Sequence, residues 1–242
     1  MKSVVILGAS GDIGQVLAKA FYNKGYNVVA GYYKNKQTLE EVVGGLKQKN
    51  NQFFCHQINL KNEDSIKEFF ENAQKDVGKI YCLVNCAGVS KPNLLIDAKT
   101  SDISEEISVN LTGAMLATKY ALPLLEEKSS RLIHISSVWG VVGGSCESTY
   151  SATKGGLISF TKAIAKEMGP SGLTANCICP GLIKTKMNAH LTKEDYSEIK
   201  NETPLNRFAT ANDIASLALF LASPKAKNIT GQAITLDAGW TL

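Results

Sequence analysis

The chain has 242 residues, 44% hydrophobic and 20% charged, enough for one large α/β domain with a sizeable core. Its net charge of +4 is spread without any Lys/Arg block, so no footprint for nucleic acid is present. No apolar run approaches membrane-spanning length, and the six cysteines form no Cys-x-x-Cys pair and have no histidine at ligand spacing, which disfavours a membrane span and a metal site.

Met1-Lys2 leads straight into the first strand pattern with no secretory leader, so reduced cysteines and a cytoplasmic location are expected. Short β-branched runs predict strands at 4–7, 27–32, 53–58, 80–85, 131–135, 174–178 and 233–236. Between them, amphipathic patterns predict helices at 13–23, 36–49, 62–76, 104–127, 148–168 and 211–222. Continuous apolar strands alternating with helices imply right-handed βαβ crossovers. The expected fold is a Rossmann-type, doubly wound, mostly parallel seven-stranded sheet with helices on both faces, one domain over 1–242. The polar stretch 181–210 has no strand and a short helical pattern at 193–200, so a lid is expected at about 184–210.

The first strand runs into Gly8-Ala9-Ser10-Gly11-Asp12-Ile13-Gly14 and then a helix. Glycines allow a tight turn and close approach of a diphosphate, whose charge the helix N-terminus favours. The second strand ends Gly31-Tyr32-Tyr33-Lys34-Asn35-Lys36, with no acid before Glu40 to take a ribose 2′-hydroxyl. Lys34 and Lys36 are cations for a 2′-phosphate instead, so NADP(H) is favoured and NAD(H) stays open.

Tyr150 and Lys154 stand four residues apart, on one helical face, and Ser137 precedes the tyrosine by 13 positions. A free phenol titrates near pH ~10, too high for proton transfer at neutrality. A neighbouring ammonium is expected to stabilise the phenolate. A serine hydroxyl from a strand end can hold a substrate oxygen against it.

These motifs, taken in order, resemble the short-chain dehydrogenase/reductase family over essentially the full length. Asn85-Cys86-Ala87-Gly88 is similar to the family's Asn-Asn-Ala-Gly, and Asn110 in Val-Asn-Leu-Thr-Gly falls at its active-site asparagine. Ser137 follows Ile135-Ser136, Tyr150 and Lys154 complete the tetrad, and Pro180-Gly181-Leu182-Ile183-Lys184-Thr185 resembles the segment beside the nicotinamide. The resemblance implies catalysis by Asn110, Ser137, Tyr150 and Lys154. It implies cofactor contacts from Gly8, Ser10, Gly11, Ile13, Gly14, Tyr33, Lys34, Asn59, Leu60, Asn85, Ala87, Gly88, Tyr150, Lys154, Pro180, Gly181, Ile183 and Thr185. It also implies a homotetramer built through the two long helices. Leu7, Asp12, Asn59 and Asn206 depart from the family pattern; a basic residue often found in the glycine-rich turn is absent.

Two subgroups compete for the substrate. The overall pattern is similar to 3-oxoacyl-[acyl-carrier-protein] reductases, whose carrier is acidic, and Lys128 and Arg131 are the rim cations available to dock it. Val138-Trp139-Gly140 followed by Ser145-Cys146-Glu147 resembles reductases of the 5-aminopentanone modification on elongation factor P. That product carries an ammonium, for which Glu147 is the candidate substrate residue. A free small ketone is a third possibility. A non-catalytic dinucleotide-binding protein is disfavoured, because tyrosine, lysine, serine and asparagine are all present.

Overall fold

The structure, a computed structural model, describes residues 1–47 and 49–242. Seven parallel strands form one sheet in the order β3-β2-β1-β4-β5-β6-β7. They are β1 Ser3–Leu7, β2 Asn27–Tyr32, β3 Phe53–Gln57, β4 Cys82–Asn85, β5 Arg131–Ile135, β6 Thr174–Pro180 and β7 Ala233–Leu236. The helices are α1 Asp12–Asn23, α2 Lys36–Gly44, α3 Glu63–Val77, α4 Thr100–Glu106, α5 Gly113–Ala121, α6 Trp139–Val142, α7 Ser148–Met168, α8 Lys193–Glu202 and α9 Ala211–Ala222.

All five residues of β1 and of β5 are buried, as apolar strands covered on both faces must be. One side packs Leu17, Phe21, Ile214 and Ala218 of α1 and α9 against the sheet; the other packs Ile66, Phe69 and Ala117 of α3 and α5. Each fully buried Leu, Ile or Phe contributes roughly 1.5–3 kcal/mol of transfer free energy. β1 has β2 on one side and β4 on the other, so the chain reverses its winding there and a crevice opens at the strand carboxyl ends.

Several boundaries differ from the sequence expectation, the largest differences for local reasons. The second helix stops at Gly44, followed by Gly45, five residues short of the expected end, because two glycines are costly in a helix; Gln48, within the expected span, lies outside the described residues. The helix expected at 104–127 starts at Thr100, passes through a π turn at Ile107–Thr112, and ends as a 3₁₀ turn containing Pro123. The strand expected from residue 80 begins at Cys82, with Ile80 making an isolated bridge to Leu125. The short pattern at 193–200 is α8, whose Thr192–Asp195 capping box fixes its start. Asn206 takes a left-handed φ of 46°, a conformation asparagine tolerates.

Candidate active site

The carboxyl ends of β1, β4, β5 and β6 meet at a cleft with two adjoining compartments. The first, about 380 Å³, is lined by the glycine-rich turn, the end of β2, Asn59, Leu60 and Gly88. The second, about 430 Å³, is lined by Ser137, Tyr150, Lys154, Glu147, Trp139 and Trp240, among others. Ile13, Cys86, Gly88, Thr185 and Met187 line both, so the two are continuous.

The first compartment suits an organic diphosphate. Gly8 has φ 74°, and a Cβ there would sit 2.7 Å from Ala87 Cα. A Cβ on Gly14 would overlap the Gly8 carbonyl. Both positions therefore require glycine. Gly11 caps α1 with no side-chain acceptor, whereas Asn62, Thr192 and Thr210 cap α3, α8 and α9. The first N–H groups of α1 are thus left for an anion.

In the second compartment, Ser137 projects from the turn after β5 and Tyr150 from the first turns of α7. Ser137 Oγ accepts from the Trp139 N–H at 3.2 Å, and its hydroxyl lines the same compartment as the Tyr150 phenol. Lys154, one turn on, is 3% exposed, and its Nζ donates to the Ile135 carbonyl at 2.9 Å. Gly88 leaves the space that Lys154 and Asn110 occupy: a Cβ there would stand 3.3 Å from both Lys154 Nζ and Asn110 Oδ1. Asn110 sits in the π turn and closes a two-way bond with Val89, its Nδ2 donating to the Val89 carbonyl and its Oδ1 accepting from the Val89 N–H, each at 2.8 Å. That turn holds its side chain inward, at 1% exposure.

Burial pushes the Tyr150 phenol well above its ordinary range; the Glu147 carboxylate adds to this, and the Ser137 hydroxyl opposes it. Burial lowers Lys154. The Lys154 ammonium is turned to the Ile135 carbonyl and is itself desolvated. The arrangement presents a protonated phenol to the compartment. Glu147 is raised by burial, against the Ser90 hydrogen bond and His190. Its carboxylate accepts from Ser90 Oγ at 2.8 and 3.0 Å.

A family model described as enoyl-(acyl carrier protein) reductase matches residues 8–241. The chain is 37% identical to the 3-oxoacyl-[acyl-carrier-protein] reductase FabG of Staphylococcus aureus, covering 98% of this chain and 97% of the relative. It is 33% identical to the uncharacterized oxidoreductase YmfI of Bacillus subtilis, covering 99% and 98%. Among solved structures, a short-chain dehydrogenase/reductase from Brucella melitensis superposes with a TM-score of 0.94 at 29% identity, covering 100% and 97%. The chain belongs to the short-chain dehydrogenase/reductase family. It is an NAD(P)-dependent oxidoreductase acting between CH–OH and C=O groups. A family member from Burkholderia cenocepacia, solved in complex with NADP, superposes with a TM-score of 0.93 at 26% identity, covering 100% and 98%. Among the described residues, no helix is long and apolar enough to cross a membrane.

Within this short-chain dehydrogenase/reductase, most residues singled out in the sequence converge. Gly8, Ser10, Gly11, Ile13, Gly14, Tyr33, Asn59, Leu60, Ala87, Gly88 and Thr185 line the first compartment. Ser137, Glu147, Tyr150, Lys154, Pro180, Gly181 and Ile183 line the second. Asn85 and Lys34 line neither; Asn85 Oδ1 instead accepts from the Ala87 N–H at 3.2 Å and shapes the turn. Lys36 is engaged with Glu40 at 3.2 Å.

The rim cations expected from the sequence are not at the rim. Lys128 and Arg131 lie at the amino end of β5, opposite the cleft, and Arg131 is buried with its guanidinium donating to the Ser129 and Ser130 carbonyls. Conversely, Lys61, Val109 and Lys186 line the first compartment without having been singled out. Each stands next to a residue singled out in the sequence (Leu60, Asn110 and Thr185) but looks there like a loop cation or a core aliphatic.

Proposed function

We propose that this protein reduces a ketone to a secondary alcohol with NADP(H), acting as a 3-oxoacyl-[acyl-carrier-protein] reductase does. The single observation that carries the reading is the convergence of Ser137, Tyr150 and a buried Lys154 in one compartment that is continuous with the one lined by the glycine-rich turn. The nicotinamide, when bound, supplies the hydride. Tyr150 gives its proton to the oxygen that develops negative charge, and Ser137 holds that oxygen. Lys154 holds the nicotinamide ribose and the local positive charge. Asn110, fixed to Val89, keeps the π turn open for a water that passes protons to Lys154. A positioned acid contributes roughly 10²–10⁴-fold, and fixed donors at a developing oxyanion contribute a similar order.

NADP(H) over NAD(H) rests on the absence of an acid at the end of β2 and on Lys61 beside Tyr33 in the first compartment. Residues 184–210 form the lid in this reading. The subunits assemble as a homotetramer through α4, α5 and α7, with Ile107 and Met115 exposed at 42% and 40% on that surface. Light scattering that reads one subunit mass would remove the tetramer. The location follows the acyl-carrier reading and is cytoplasmic.

A second substrate reading has its own observation. Trp139 and Trp240 meet edge to face, 5.0 Å apart, in the compartment that Glu147 also lines. Two indoles and a half-buried carboxylate suit an ammonium. That favours an amine-bearing ketone such as the 5-aminopentanone modification on elongation factor P. NADPH oxidation assayed with an acyl-carrier β-ketone, a small β-ketothioester and aminopentanone-modified elongation factor P separates the two. The acyl-carrier reading expects the first to give the highest kcat/KM; turnover of the modified factor alone overturns it.

A further inference from the structure

The glycine-rich turn is fastened to a segment that the sequence places far away. Asp12 Oδ2 accepts a hydrogen bond from the backbone N–H of Lys186 at 2.6 Å, across 174 residues. Asp12 is the first residue of α1, and Lys186 opens a 3₁₀ turn, Lys186–Asn188. The bond brings Thr185, Lys186 and Met187 over Gly11, Asp12 and Ile13 as the opposite wall of the first compartment.

The charges around that wall are few. Lys61 and Lys186 are the lining cations, Asp12 and Glu105 the lining acids. Lys61 is committed to Glu105 at 3.0 Å, at the Tyr33 end. Lys184, two residues before Lys186, is turned away, with its Nζ over the Tyr196 and Phe208 rings at 5.3 and 6.0 Å. The Lys186 ammonium has no ion pair among the described residues. Of the two cations that line the first compartment among the described residues, it is the one without an ion pair.

An Asp12 carboxylate at this place works against a dianionic guest. The Lys186 N–H engages one of its oxygens and fixes the lysine's backbone beside it, which puts an unpaired ammonium within a side chain's length of that carboxylate. We propose that Asp12 clasps the 185–188 turn across the glycine-rich loop so that Lys186 holds the diphosphate of the bound dinucleotide, making cofactor binding and closure of this wall one event. The inference rests on the dinucleotide reading given above.

The test is a titration of the full chain with NADPH, NADH and adenosine 2′-phosphate, which has no diphosphate. Lys186→Gln should weaken NADPH and NADH alike, by about 10-fold, and leave adenosine 2′-phosphate unchanged. Asp12→Asn and Asp12→Ala remove the same charge, but only asparagine keeps an acceptor for the Lys186 N–H. Asp12→Ala should therefore bind both dinucleotides several-fold more weakly than Asp12→Asn. Unchanged dinucleotide affinity in Lys186→Gln, or a loss confined to NADPH and adenosine 2′-phosphate, overturns the diphosphate role. Equal affinity in the two Asp12 variants overturns the clasp. A wild-type chain that binds neither dinucleotide sinks the underlying reading instead, a result distinct from all of these.

Discussion

Lys154 lies close beneath Tyr150 without bonding it: its Nζ is 5.5 Å from the tyrosine ring centroid and donates to the Ile135 carbonyl at 2.9 Å. In the proposed reaction the two side chains thus have separable tasks, the phenol as proton donor and the ammonium as a fixed buried cation. Tyr150→Phe keeps the ring and should lower kcat by at least ~10²-fold with NADPH affinity largely kept. Lys154→Met keeps the stem's volume and should lower both kcat and NADPH affinity. Turnover of Tyr150→Phe at the wild-type rate contradicts the acid assignment, and full NADPH affinity in Lys154→Met contradicts the ribose contact.

The raised phenol gives a pH signature. The proposed reduction needs Tyr150 protonated, so its rate should fall only as pH climbs through the phenol's titration. Because burial and the Glu147 charge raise that titration, the alkaline limb of kcat/KM should lie above the ordinary tyrosine value of ~10. Glu147→Gln removes one raising cause and should move the limb downward. A pH–rate series from 7 to 11 on both proteins checks it; a limb that moves upward, or stays put, refutes the coupling.

Cofactor preference should follow the first compartment's lining. NADPH should exceed NADH in kcat/KM. Lys61 lines the compartment and Lys34 does not, so Lys61→Glu should narrow the preference by about 10-fold, more than Lys34→Glu does. Equal wild-type efficiency with both cofactors overturns the preference, and a larger effect at Lys34 restores the sequence-based choice.

How much of this was legible in the sequence depended on whether a residue acts where a local pattern places it. The glycine-rich turn, the end of β2 and the Tyr150–Lys154 spacing each report their position through a strand or helix period, and the structure brings them to one cleft. Lys186 and Lys61 gave no such report, since a lysine in a loop looks the same whether it faces solvent or a compartment wall. Arg131 shows the reverse. Its charge promised a surface role, yet as the first residue of a central strand it is buried against carbonyl oxygens and Tyr81. The π turn around Asn110 was invisible because its residues also fit an uninterrupted helix.

The core contains a group that the chemistry does not use. His134 on β5 is fully buried, edge-on to Phe160, with Nδ1 unpartnered, and burial lowers its titration to about 3. The folded chain therefore keeps it neutral, while the unfolded chain protonates it below its ordinary ~6.5. Its stabilising share is intact above pH 6.5 and is lost as pH falls, with a slope of up to ~1.4 kcal/mol per pH unit from this group. Urea midpoints between pH 7 and 5 should fall in the wild type and fall less in His134→Asn. Parallel curves for the two proteins would falsify the assignment.

The last prediction separates the two substrate readings at Glu147. Its carboxylate lines the second compartment, is held by Ser90, and faces the Trp139–Trp240 pair's side of the cleft rather than the diphosphate end. If the natural ketone bears an ammonium, Glu147→Gln keeps the shape and the Ser90 contact but removes the charge that pairs with it. Losing such a partner at a desolvated contact costs ~2–5 kcal/mol, roughly 30-fold or more in kcat/KM. The loss should fall on amine-bearing ketones and leave a neutral β-ketothioester nearly unaffected when both are assayed near pH 7, well below the Tyr150 limb. Equal losses on both substrates make Glu147 a support for the Ser90 loop with no voice in selection. No loss on either removes the amine reading and favours the acyl-carrier ketone, with a free small ketone as the remaining alternative.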